Sequence, residues 1–169
     1  MKNLSKLISA LVLTISIIGC NSKSTIDCIE FTGNLTSGEA VMVGTWTLSG
    51  INSNLEIDLT DDDTDNPNND VYAQYMACQK DAIYVFEADR NYTFEQGFVA
   101  AGCVDKFDNV GTWQLANGQL QVANSCSQFN IIISLDASGD TFSFTNNANI
   151  VDVNGINFTV TLTYTYSKT

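Results

Sequence analysis

Five cysteines and no histidine bound the chemistry open to this chain. Histidine is the commonest general base, a frequent metal ligand and the usual partner of a serine or cysteine nucleophile. With it absent and only seven basic residues present, nucleophilic triads and Schiff-base chemistry have little to draw on. Glu30, Glu87, Glu95, Asp105 and Asp108 could in principle supply the acid–base pair of a glycoside hydrolase, but no spacing singles out two of them. The expectation is a protein that is not an enzyme. Asp61, Asp63 and Asp65 stand at the i, i+2, i+4 spacing of calcium loops, where hard oxygens wrap one ion. Asn66 replaces the glycine of such a loop and Tyr72 its bidentate glutamate, so a solvated turn explains the same residues. Calcium at these three aspartates is the sole cofactor to consider.

Cys20 is a different kind of cysteine. Lys2 and Lys6 precede an apolar run from Leu7 to Ile18, the layout of a secretory signal. That run is too short to cross a bilayer core of roughly 30 Å. The Gly19-Cys20 junction resembles the lipobox of bacterial lipoproteins. The resemblance implies cleavage before Cys20, lipidation of its sulfur, and a mature chain tethered by acyl chains of the palmitate kind. Two or three such chains anchor stably where one is marginal.

Cys28, Cys78, Cys103 and Cys126 remain, an even number in an exported chain, which points to two disulfides. No CxxC or CxxH spacing favours a metal instead. Three pairings are possible; Cys78–Cys103 is expected because the hairpin between them brings its flanks together, and Cys28–Cys126 follows. Removing residues 1–19 takes Lys2 and Lys6 away, leaving five basic against nineteen acidic residues, a formal charge of −14. Such a surface repels phosphate backbones and anionic lipid headgroups, so no nucleic-acid partner is expected. Its plainer meaning is solubility.

These residues must be positioned by strands. Residues 20–40 are polar and read as a tether, pinned back by Cys28. From Val41 to the end at 169 the chain turns every 8–12 residues, the rhythm of a single antiparallel β domain. Ile156–Ser167 alternates without a break between apolar residues and Asn, Thr or Ser, so one face is buried and the other wet. Asn154-Gly155 before it is a type I′ hairpin signal pairing it with Ile150–Val153. Leu55, Ile57 and Leu59 make one strand face, Phe129, Ile131, Ile133 and Leu135 another, and Phe142 and Phe144 a third. Asn117-Gly118 introduces Leu120 and Val122, and Asp89–Asn91 joins Ile83–Phe86 to Tyr92 and Phe94. Eight to ten strands result, with at most one short helix, at Asp70–Ala77. Thr60–Asn69 is an acidic excursion from one end of the sheet.

Val43-Gly44-Thr45-Trp46-Thr47-Leu48 recurs as Val110-Gly111-Thr112-Trp113-Gln114-Leu115. Each glycine permits a close backbone approach at a strand start and each tryptophan buries a large ring. Gly44-Thr45-Trp46, then Cys78-Gln79-Lys80-Asp81 before a strand, Phe86, Ala88-Asp89 and Tyr92 at a hairpin, Cys103, the second Gly-Thr-Trp and the alternating last strand form a wider pattern. It resembles the lipocalin-like lipoproteins of Bacteroidetes-type bacteria, over roughly Val41–Lys168. The resemblance implies an all-β, antiparallel up-and-down barrel, a Cys78–Cys103 disulfide and an outer-membrane lipid anchor. Arg90 replaces the usual hairpin glycine, and the basic residue that closes lipocalin barrels under the tryptophan is not evident. Asn21-Ser22-Lys23 lacks the acidic cluster that surface lipoproteins of such bacteria tend to carry, so the periplasmic face is expected.

A closed barrel turns one face of every strand inward, where about eight strands enclose either packed side chains or one small ligand. Ile131, Ile133, Phe142, Phe144, Phe158, Val160 and Leu162 are the candidates to line a ligand site, with Trp46 and Trp113 plugging the barrel. Two functions are consistent with these residues. One is an anchored protein that binds or carries a small apolar molecule. The other is a structural or interaction lipoprotein with a filled barrel, whose loop Thr60–Asn69 meets a protein partner of the cell envelope.

Overall fold

A computed structural model describes residues 28–169 of the chain. Cys20, the signal 1–19 and the first part of the tether lie outside the described residues. The elements run α1 (Ser37–Ala40), β1 (Gly44–Ile57), β2 (Asn68–Asp70), α2 (Val71–Gln74), α3 (Ala77–Lys80), β3 (Ile83–Phe86), β4 (Asn91–Gln96), β5 (Phe107–Ala116), β6 (Gln119–Asn124), β7 (Ser127–Ile132), β8 (Ser134–Leu135), β9 (Thr141–Val151) and β10 (Asn157–Lys168). All the strand pairs are antiparallel, in the order β7-β6-β5-β4-β3-β1-β10-β9-β8, with β2 beside β1. Nearly every neighbour is sequential, and β10 returns to β1, which makes an up-and-down, nearly closed barrel.

One segment closes the ring. β7 pairs with β6 from Ser127 to Ile132, and after Ile133 the same run becomes β8, which pairs with β9 at Ser134↔Ser143 and Leu135↔Phe142. The barrel is therefore joined by only two residue pairs on that side. Above them β7 and β9 lie side by side without a ladder, and a seam is left.

Periodicity placed β10 within one residue of its observed limits, and its even-numbered residues face the core: Val160, Leu162 and Tyr166 are all buried. The stretch Phe142 to Val153, expected as two strands, forms one, β9, because Asn146, Asn147 and Asn149 are held by eleven consecutive registered partners on β10. The low β-propensity of asparagine yields to that pairing. Leu55 departs from the expected face. It is 42% exposed while Ile57 is buried, in a stretch where the register of β1 against β2 shifts between Asn52 and Ile57 and the Leu55 N–H donates to Ser53 Oγ. The single helix expected at Asp70–Ala77 is two pieces, α2 and α3, parted by extended residues Tyr75 and Met76.

The two Gly-Thr-Trp motifs have physical reasons. Gly44 adopts φ +135° where the Lys168 side chain crosses it. Gly111 lies under its register partner Tyr92, and a β-carbon there would sit 2.1 Å from the Ala123 carbonyl oxygen and 3.0 Å from the Tyr92 ring. The rings of Trp46 and Trp113 are fully buried. Gly111→Ala is expected to cost about 1–3 kcal/mol by forcing β5 from β6. Urea denaturation checks this, with Gly38→Ala, which has open space around it and no left-handed backbone, as a control.

Candidate functional site

Trp46 and Trp113 mark the shut end of the barrel. Trp46 Nε1 donates to Met42 O at 2.7 Å and Trp113 Nε1 to Glu87 O at 3.1 Å, so both indoles bury their area without stranding a donor. Lys168 Nζ lies 5.2 Å from the Trp46 ring and donates to Val41 O. A basic residue thus does lie beside the tryptophan, brought there by the end of the last strand. The stretch read as a tether is held to the barrel by more than Cys28: Phe31 N–H donates to Thr112 Oγ1, and α1 packs on β5.

Arg90 explains its own departure from glycine. It sits at φ +73°, and its guanidinium is buried among Glu39, the carbonyls of Gly33 and Asn34, and the Trp113 carbonyl. Arg90 Nη1 and Nη2 reach the two Glu39 carboxylate oxygens at 2.7 and 3.0 Å. The guanidinium, more than the opposing effect of burial, holds the Glu39 carboxyl down to about 2.

Away from the plug, the interior opens. A cleft of about 630 Å³ is lined inside by Tyr84, Tyr92, Phe94, Val122, Ile131 and Phe144. Phe107, Phe129 and Ile132 border it and are more than half exposed. Asn130, Ile131 and Ile132 of β7 face Phe144, Thr145 and Asn146 of β9 across it. Successive residues of a strand point to opposite faces, so their joint presence places the cleft's opening at the seam between β7 and β9. A second hollow of about 360 Å³ shares Tyr84, Phe94 and Phe144 with the first and is bordered by Tyr75, Gln79 and Gln96.

The floor is aromatic. Trp46 meets Phe142 at 5.0 Å between centroids, Phe142 stacks on Tyr166 at 5.1 Å, and Tyr166 meets Tyr84 at 5.1 Å. Tyr84 then meets Phe94 at 4.6 Å, and Phe144 stacks on Tyr164 at 5.2 Å. Burial pushes the Tyr84 phenol up to about 12, helped by Tyr92, and raises Tyr92, Tyr164 and Tyr166. These phenols stay neutral and able to donate at any physiological pH.

Of the residues expected to line a ligand site, Ile131 and Phe144 line this cleft. Ile133, Phe142, Val160 and Leu162 are packed core, and Phe158 is half-buried against it. Tyr84, Tyr92, Phe94 and Val122 escaped the sequence reading. The alternation Tyr84/Phe86 and Tyr92/Phe94 carried the signal, masked because Ile83–Phe86 is apolar on both faces. The wall beside the second hollow is braced by the segment Cys78-Gln79-Lys80-Asp81. Cys78 is bonded to Cys103, and Asp81 accepts from the N–H groups of Gly97, Val99 and Ala100. Burial works against the Asp81 carboxylate, but those three donors win and keep its pKa below the usual range. Cys28 is bonded to Cys126.

Asp61, Asp63 and Asp65 are not brought together: among the described residues, no group of three or more acidic or cysteine side chains is placed to hold a metal. Asp58 organises this loop instead, accepting from the N–H groups of Thr60 and Asn66. Among the described residues no helix is long and apolar enough to cross a membrane.

No curated protein and no solved structure matches the chain. One family does, over residues 21–169, and on that extent the chain belongs to the family described as a domain of unknown function, DUF5004.

Proposed function

We propose that this chain is a lipid-anchored β-barrel lipoprotein that binds a small apolar molecule in the cleft between β7 and β9, with no catalytic step. The cleft carries the reading. At about 630 Å³ it falls within the range of small-molecule sites, roughly 300–1,000 Å³, and its inner wall is aromatic and aliphatic. A barrel filled throughout would leave no such space, which sets the carrier reading above the structural one. The exposed rings of Phe107 and Phe129 at the opening give a passing apolar molecule its first contact.

The anchor rests on Lys2, Lys6, the apolar run and Gly19-Cys20. The family match begins at residue 21, directly behind Cys20. The place proposed is the periplasmic face of the outer membrane. Ile131→Trp would fill the cleft from β7 while leaving the ladder to β6 in place. Protein isolated from its own membranes and extracted with organic solvent should yield one apolar species in stoichiometric amount, and Ile131→Trp should yield none. An empty wild type, or equal yields from the two, refutes the proposal.

A further inference from the structure

The large apolar side chains left on the surface are not spread evenly along the barrel. The pairs Gln96↔Phe107, Asn124↔Ser127 and Asn157↔Val151 put the 97–106 loop, the β6–β7 turn and the 152–156 turn at the end away from Trp46 and Trp113. Phe98, Val99 and Val104 in that loop, Phe107 beside it, and Val153 and Ile156 in the last turn are all exposed. Among the described residues, the turns of the shut end, 36–43, 87–90, 117–118 and 136–140, expose no large apolar side chain. Apolar residues gathered at one end mark an interaction surface, where single scattered ones would not.

The path of the N-terminal segment says what covers it. Cys28 is bonded to Cys126 in the β6–β7 turn, Phe31 N–H meets Thr112 Oγ1, and the carbonyls of Gly33 and Asn34 accept from Arg90. From Cys28 onward the segment therefore runs from the mouth of the barrel towards the plug, and the chain before Cys28 joins it at the mouth. Cys20 precedes Cys28 by eight positions, a reach of at most about 28 Å. Acyl chains on Cys20 hold the mouth within that distance of a bilayer, and so short a tether keeps occupied a contact that a free protein would leave.

We propose that the mouth seats on a zwitterionic phospholipid bilayer through residues 97–107. This rests on the lipid-anchored reading above and adds an orientation to it. Lys106, whose Nζ lies 5.1 Å from the Phe98 ring, supplies an amine for the headgroup phosphates. Asp105 and Asp108 beside it offset that charge, so nothing here draws an anionic surface. Asp61, Asp62, Asp63 and Asp65 follow the mouth end of β1, two strands away from β4, so the seat is tilted onto the 97–107 side. Phe107 belongs both to the seat and to the border of the cleft, so an apolar molecule passes from lipid to cleft without crossing water.

Val104→Trp and Ala137→Trp place a reporter on exposed residues at the two ends. Each is purified as full-length lipidated protein from its own membranes and reconstituted into phosphatidylcholine vesicles, with and without bromine on the upper acyl chains. Val104→Trp should lose about half or more of its added emission to the bromines, since seated apolar side chains lie roughly 5–10 Å into the headgroup–acyl boundary. Ala137→Trp should lose no more than wild type, whose two tryptophans are buried at the shut end. Equal quenching of the two, quenching of Ala137→Trp alone, or quenching of neither refutes the seat. The mass of the Cys20 peptide from the same preparations decides the anchor separately. An acylated Cys20 with Val104→Trp unquenched sinks the orientation and leaves the anchored reading standing, whereas an unacylated Cys20 removes both.

Discussion

Arg90→Met should destabilise the barrel by about 3–5 kcal/mol, the cost of leaving one member of a buried ion pair without its partner. For a domain of this size that lowers the melting temperature on the order of 10 °C. The guanidinium joins three things that would otherwise part: Glu39 at the end of α1, the backbone of Gly33 and Asn34, and the Trp113 carbonyl on β5. Losing it should free the segment before α1 and expose the plug, read as faster amide exchange at Trp46 and Trp113. Arg90→Gly separates charge from backbone. The left-handed conformation costs a non-glycine residue about 1–2 kcal/mol, so glycine should be less damaging than methionine. Equal losses would mean that the backbone contributes nothing.

The same pair predicts a pH dependence. Glu39 titrates near its ordinary 4.5 when unfolded and at about 2 when folded. A depressed folded pKa contributes stability that is complete above the unfolded value and lost as pH falls through the folded one. Wild type should therefore exceed Glu39→Gln in stability by a constant margin at neutral pH. The margin should shrink between about pH 4.5 and 2. Urea midpoints at pH 7, 4 and 2.5 check it, and a margin that does not change would show that Glu39 is not held by Arg90.

Replacing Cys28 and Cys126 together by serine should cost about 4.7 kcal/mol, against about 3.5 kcal/mol for Cys78 and Cys103, since the first bond closes a span of 98 residues and the second 25. The two losses should also differ in place. Without Cys28–Cys126, the N-terminal segment loses its tie to the β6–β7 turn, at the opposite end of β6 from the β5–β6 turn, and it is the β6–β7 turn that should loosen. Without Cys78–Cys103, the loop after β4 still has the Asp81 carboxylate as a tie, and the second hollow should widen. Chemical denaturation with hydrogen exchange distinguishes them; a larger loss from the shorter span would contradict the loop-entropy account.

The family of unknown function supplies no ligand, so the site has to be argued from its residues. Much of the frame is written locally. Strict alternation reports the two faces of β10, and Asn117-Gly118, with φ of +54° and +73°, reports the β5–β6 turn. The Cys78–Cys103 bond follows from a hairpin that brings its flanks together. Each depends on residues close in the chain, whose steric preferences act whatever the remainder does.

Other features exist only once distant segments meet. Arg90 and Glu39 are 51 positions apart, and Lys168 reaches Trp46 only because β10 returns to β1. Alternation made Phe142 and Phe144 equivalent, yet one is sealed beneath Trp46 and the other faces empty space. That division was set by where β8 stops pairing with β9. A ring joined by two residue pairs leaves its next rungs apart, and the inward side chains there have nothing opposite to pack against. The strands and turns were thus legible in the sequence because they follow from short-range geometry. The cleft was not, because it is what remains when a long-range closure is incomplete.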